Sequence, residues 1–177
     1  MDWVKAARDG GENALLRLFD EHHLPLFRFA WRLTGSTADA EDIVQECFLS
    51  LLRSDCRYDA RRTSLRTYLF GAVRNQALKR LRSRSPESAE TEPVDSRSPE
   101  SEALRDELEK SVERAVMQLP ENQREVLLLA HYEQLPLAEI AELLELELGA
   151  VKSRLQRARA TLKELLAAYA PDAERSQ

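Results

Sequence analysis

Apolar positions recur along most of this chain with the 3.6-residue period of a helix rather than the alternation of a strand. Between residues 14 and 34 the large apolar or small core-type side chains are Leu15, Leu18, Phe19, Leu26, Phe27, Ala30 and Trp31, which predicts a helix there. Pro25 lacks the N–H that a helix interior needs, so a kink or a break is expected at that point. Gly35 supplies a stop, and Ser36 or Thr37 can cap a second helix from Ala38 to Arg53. A loop, SDCRYDARRT (54–63), leads into a third helix from Ser64 to about Ser83 that ends in KRLRSR. Later, Leu137, Ile140, Ala141 and Leu144 repeat at i, i+3, i+4, i+7, and Val151, Leu155, Ala158 and Leu162 make a second such stripe. The pattern predicts an all-α protein.

The periodicity lapses once. Residues 85–101, SPESAETEPVDSRSPES, are rich in Ser, Pro and Glu and contain one apolar side chain larger than Ala, Val94. Such a stretch cannot bury enough surface to fold alone and is expected to be a flexible acidic linker. It divides the chain into a helical domain over 1–84 and a second over 102–177. Each is small, yet long enough for a compact helical bundle.

The helix 38–53 has more apolar surface than one packed face requires. Ile43, Val44, Cys47, Phe48 and Leu51 supply a core stripe, while Leu49 and Leu52 lie nearly opposite, beside Asp42, Gln45 and Glu46. An apolar spot rimmed by acids suits a protein-binding surface. A helix buried on both sides gives the same pattern.

Charge sharpens the division. The net charge is −5, but residues 57–84 carry 9 basic residues against the single acid Asp59. Around them are aromatics: Tyr58, Tyr68 and Phe70. Cations track a phosphate backbone and aromatic faces stack on unpaired bases, as in single-strand binding. Phe70 fits a core position better. The second basic patch is Lys152, Arg154, Arg157, Arg159 and Lys163, with no acid between residues 148 and 163. Opposite the Val151–Leu162 stripe lie Ser153, Gln156, Arg157 and Ala160, flanked by Lys152, Arg154 and Arg159. Two short helices joined by a tight turn, the second basic, form a helix-turn-helix, whose second helix reads base edges while flanking cations meet phosphates. Gln pairs with adenine and Arg with guanine, and small residues let the backbone approach. A solvated basic face is the plainer alternative.

Together these segments resemble bacterial sigma factors of the extracytoplasmic-function (ECF) group, over roughly residues 12–84 and 111–167. STADAEDIVQECFLSLLR looks like the helix with which that family grips the clamp of RNA polymerase, which implies polymerase contacts at Asp42, Gln45, Glu46 and Phe48, in agreement with the apolar spot of Leu49 and Leu52 as part of the same candidate surface. TSLRTYLFGAVRNQALKRLR is similar to the segment that recognises and melts the promoter's minus-10 element. Tyr68 stands where an aromatic, commonly Trp, is usual, and Asn75 at the family's Asn. Under that likeness the candidate minus-10 contacts are Tyr58, Arg61 and Arg62 for a captured strand, with Arg74, Asn75, Arg80 and Arg82 along the adjoining duplex. LPENQREVLLLAHYEQLPLAEIAELL and GAVKSRLQRARATL resemble the minus-35 reading domain, with contacts expected from Lys152, Ser153, Arg154, Gln156, Arg157 and Arg159.

Two positions depart from the family's pattern. Lys79 stands where Asp is frequent. Glu145, in LELEL, stands where the helix-turn-helix turn usually has Gly, and a positive φ there costs a non-Gly residue roughly 1 kcal/mol.

The resemblance implies a transcription initiation factor without a catalytic step, whose partners are core RNA polymerase, promoter DNA and an anti-sigma factor. No cofactor or metal is expected: Cys47 and Cys56 lack ligand spacing, and adjacent His22 and His23 diverge around a helix. With no apolar run of membrane length, no membrane insertion is expected and the protein is placed in the cytoplasm. Two other classes fit parts of the pattern. A helix-turn-helix regulator acting without polymerase would bind duplex DNA alone. A nuclease would use Asp39, Asp42 and Glu46 to hold Mg²⁺, although no His or Lys base accompanies them.

Overall fold

The structure, a computed structural model, describes residues 3–53, 56–83 and 101–167. Among these residues every regular element is helical: α1 (Trp3–Arg8), α2 (Glu12–Thr34), α3 (Thr37–Leu52), α4 (Leu65–Ser83), α5 (Ser101–Met117), α6 (Glu121–Leu127), a π-helical turn (Leu128–Tyr132), α7 (Leu137–Leu144) and α8 (Leu148–Ala167). The chain divides into two compact units, residues 1–92 and 93–177. The all-α, two-domain expectation holds. The expected linker, apart from Ser101 at the start of α5, lies outside the described residues, as do residues 54–55 of the loop and the tail after 167.

In the first unit α2 packs against α3 and α4, with α1 laid on α2. The core joins Leu18, Leu26, Phe29, Ala30 and Leu33 of α2 to Ile43, Val44, Cys47 and Leu51 of α3 and to Leu69, Phe70, Val73 and Ala77 of α4. Phe29 and Phe70 meet edge to face, 5.2 Å between centroids. Burial pushes the Cys47 thiol up to about 12, as befits a small core residue.

Pro25 does not divide α2, which runs unbroken from Glu12 to Thr34. A proline inside a helix costs about 3 kcal/mol, and burying Leu26 and Phe29 just after it returns about 1.5–3 kcal/mol each. Gly35 ends the helix at φ 69° and donates its N–H to the Trp31 carbonyl at 2.7 Å. The Ser36 hydroxyl then accepts the Asp39 N–H at 3.2 Å and caps α3. The short α1 is an addition to the three helices that periodicity predicts for this unit. Its Arg8 donates from Nε to the Leu51 carbonyl at 2.9 Å, serving one of the orphan acceptors at the end of α3.

In the second unit α5, α6 and α7 pack on α8. Val126, Leu127, Leu128 and Leu129 are all buried, with Leu119, Leu135, Ile140, Leu144, Val151, Leu155 and Ala158. The expected stripes therefore face inward, Leu137 and Leu162 being half-buried at their ends. Arg124 donates to the Met117 and Leu119 carbonyls and so closes the C-terminus of α5. The turn expected to be strained is strained: Glu145 sits at φ 54°, ψ 46°, in the left-handed region. The following Leu146 N–H reaches back to the Ala141 carbonyl at 2.9 Å, the closing bond of a left-handed helix stop.

Candidate nucleic-acid and protein interfaces

The outer side of α3 presents Asp42, Gln45 and Leu49 to solvent, with Glu46 and Leu52 half-buried; Leu49 is 49% exposed. Phe48 is buried at 6% exposure, its ring 5.3 Å from that of Phe19. Phe19, a core position by its period, is instead 41% exposed and stacks on His23 at 4.4 Å. An aromatic row along α2 thus borders α3. Phe19, His23 and Phe27 recur at i, i+4, i+8, a signal present in the sequence but masked there by the core stripe.

Arg80 joins α4 to α3. Its guanidinium lies 3.1 Å from an Asp39 oxygen and 3.2 Å from an Asp42 oxygen. One candidate DNA contact is therefore paired with one candidate polymerase contact. The same ion pairs leave Asp39 and Asp42 engaged, and no cluster of three or more metal-ligating side chains occurs among the described residues.

Leading into α4, the loop carries Arg57, Arg61 and Arg62 exposed on its outside. Tyr58 and Tyr68 are 5.2 Å apart, and the Cys56 thiol contacts the Tyr68 hydroxyl at 3.4 Å. Along α4, Tyr68, Asn75, Lys79 and Arg82 are spaced at +7, +4 and +3, which places them on one face. Asn75, Lys79 and Arg82 are exposed, and Arg74 is half-buried beside them. On the opposite side Arg66 lies over the Phe70 ring, 5.6 Å from its centroid, consistent with a core role for Phe70. Between α2 and α4 a cleft of about 290 Å³ is lined by Glu21, His22, Pro25, Leu26, Arg66, Leu69 and Phe70. Burial there lowers the His22 pKa, opposed by Glu21 and assisted by Arg66.

The α7–turn–α8 pair forms the helix-turn-helix. Lys152, Ser153, Gln156 and Arg157 are exposed at the start of α8. Arg157 donates back to the Ser153 carbonyl and hydroxyl at 3.4 and 3.3 Å, so its guanidinium lies along this face. Two of the three flanking cations, Arg154 and Arg159, are tethered. Arg154 lies 3.4 Å from Glu125, itself 3% exposed, and Arg159 donates to His131 Nε2 at 3.1 Å. Arg159 also edges a groove of about 530 Å³ with Val116, Leu127, His131, Tyr132, Leu162, Lys163 and Leu166. The π-helical turn, which carries His131 and Tyr132 to that groove, has no counterpart in the sequence pattern. No helix among the described residues is long and apolar enough to cross a membrane.

Known proteins share these two units in the same order. The Sigma-70 region 2 family matches residues 18–87, and the Sigma-70 region 4 family matches residues 109–162. The ECF RNA polymerase sigma factor SigL of Mycobacterium tuberculosis is 35% identical over 164 residues, covering 87% of this chain and 92% of that protein. SigW of Bacillus subtilis, another ECF sigma factor, is 28% identical over 177 residues, covering 92% and 94%. Among solved structures, CnrH in complex with the cytosolic domain of CnrY superposes with a TM-score of 0.70 at 27% identity, over 94% of this chain and 96% of that one. Its two helical units and their order make this chain a member of the ECF RNA polymerase sigma factors, non-enzymatic proteins that bind core polymerase and promoter DNA to start transcription.

Proposed function

We propose a division of promoter recognition between the two units. The α3 surface of Asp42, Gln45, Glu46, Leu49 and Leu52 docks on core polymerase, with Phe48 shaping it from beneath. Tyr58, Arg61 and Arg62 hold an extruded non-template base of the minus-10 element, while Arg74, Asn75, Arg80 and Arg82 track the adjoining duplex. Capturing that base offsets an unstacking cost of a few kcal/mol. Lys152, Ser153, Gln156 and Arg157 enter the major groove at the minus-35 element, with Arg154 and Arg159 at its phosphates. The observation that carries this reading is the exposed Lys152–Arg157 face directly after the left-handed turn at Glu145. Occupying both elements at once raises the effective concentration of each unit at its own site.

An anti-sigma partner covers the polymerase-binding surface in the resting state. CnrH, which shares this fold, is solved in complex with a second protein, the cytosolic domain of CnrY, and that supports a protein partner here. The protein works in the cytoplasm, where polymerase and promoter are.

The test is binding of the purified chain to core RNA polymerase, then transcription from a promoter library. Nanomolar binding with selective initiation is expected. Tight duplex binding without any affinity for polymerase would replace this reading with that of a free-standing regulator.

A further inference from the structure

We propose that Asp59 is a positioning residue for promoter opening: it folds the 56–63 loop into the shape that presents Arg61 and Arg62 to the melted strand. The inference rests on the minus-10 role given above to that loop.

Asp59 is the only acid between residues 57 and 84, among nine basic residues. In a loop that meets phosphates, a carboxylate weakens binding by electrostatics alone. Its side chain nevertheless has a structural task. One carboxylate oxygen accepts the Arg61 N–H at 2.9 Å, and its carbonyl accepts the Arg62 and Thr63 N–H groups at 3.0 and 3.3 Å. Three successive amides, two of them from the candidate DNA-binding arginines, thus converge on one residue. An Asp side chain that bonds the backbone two residues on creates a turn that Ala cannot make.

The ends of the loop are fixed as well. At its start the Cys56 N–H donates to the Arg53 carbonyl at 3.2 Å, and the Cys56 thiol meets the Tyr68 hydroxyl on α4. Burial, with help from that hydrogen bond, pushes the Tyr68 phenol up to about 12, so its proton stays in place. At its end the Ser64 hydroxyl accepts the Thr67 N–H at 3.1 Å and caps α4. A loop held at both ends and folded in the middle has already lost most of the freedom that strand capture would otherwise remove.

The charge and the turn predict opposite signs, which makes the idea testable. Open-complex formation would be monitored with core polymerase on a promoter selected from the library, for wild type, Asp59→Ala and Asp59→Asn. Exchange of the Arg61 amide would be measured by NMR on the same proteins without polymerase. Losing one hydrogen bond should slow opening about fivefold to tenfold in Asp59→Ala, with core affinity and melting temperature unchanged, and should speed Arg61 exchange. Asp59→Asn keeps an acceptor oxygen and loses the charge, so it should open promoters at the wild-type rate or faster and keep the wild-type Arg61 exchange. Opening by Asp59→Ala at or above the wild-type rate would overturn the proposal, as would equal slowing by Asp59→Asn. Should wild type itself fail to open promoters, the minus-10 reading falls, and Arg61 exchange still decides whether Asp59 shapes the loop. Cys56→Ser should preserve, and Cys56→Ala reduce, opening in the same assay.

Discussion

The two basic surfaces of this protein are built in contrasting ways. On α8 the candidate DNA face is a bare stretch of helix: Lys152, Ser153, Gln156 and Arg157 are exposed, and Arg157 leans back on Ser153 of the same face. In the first unit the basic region is woven into the fold. Arg80 is clamped by two acids, Asp59 gathers three amides, and Cys56, Tyr58 and Tyr68 form a small cluster around the Tyr68 ring. The difference suits the tasks proposed for them. A helix entering a preformed groove needs only correct orientation, which α7 and the turn provide. A loop that must hold an unstacked base needs its own shape set beforehand, because nothing in the melted strand will template it.

The contrast can be broken by substitutions that separate fold from contact. The largest effect on stability is expected at Arg154→Ala. It deprives the buried Glu125 of a charged partner and should cost about 1.5–3 kcal/mol in denaturant unfolding. Arg157→Ala should leave unfolding unchanged and instead cost about 1–3 kcal/mol of minus-35 binding, with relaxed preference at one base pair. Equal destabilisation by the two would mean that α8 is no bare face. Lys152→Ala should weaken binding across all sequences and reduce the salt slope by about 1, read from affinities at several salt concentrations.

Smaller effects sharpen the same picture. Glu145→Gly relieves the left-handed strain and should raise stability by about 0.5–1 kcal/mol without altering promoter preference. At the α2–α4 cleft, burial favours neutral His22 in the folded state, so its folded pKa lies below the ordinary 6.5. The unfolded chain then binds more protons below that pH, and stability should decline as pH falls through 6.5. Thermal melts about one pH unit above and one below that value should show the decline in wild type and a flatter response in His22→Gln.

Much of this organisation was legible in the sequence, because it rests on period and on punctuation. The stripes at 137–144 and 151–162, the stop at Gly35, the cap at Ser36 and even the strained turn at Glu145 obey local rules. Other features depend on partners distant in the chain. Nothing near Pro25 says that Leu26 and Phe29 bury deeply enough to carry a helix through it. Phe19 matches the apolar period of α2 and still faces outward, next to Phe48. Arg80 reads as one cation in a basic run, since its acids lie 38 and 41 residues earlier. The turn at Asp59 has a local signal too, one acid placed two residues before a pair of arginines. The π-helical turn at 128–132 leaves no recognisable mark.

The Arg80 clamp has a consequence for how genetic screens on this protein will behave. Asp39, Asp42 and Arg80 form a three-body unit, so single replacements there are not independent trials. A variant at Arg80 releases Asp42 from its ion pair and, under the roles proposed above, reports on polymerase capture as much as on DNA. Epistasis, rather than severity, is then the signature of this corner: the double variant Asp42→Ala, Arg80→Ala should be milder than the sum of its parts. A selection for suppressors of either change is expected to return changes at the remaining members of the trio.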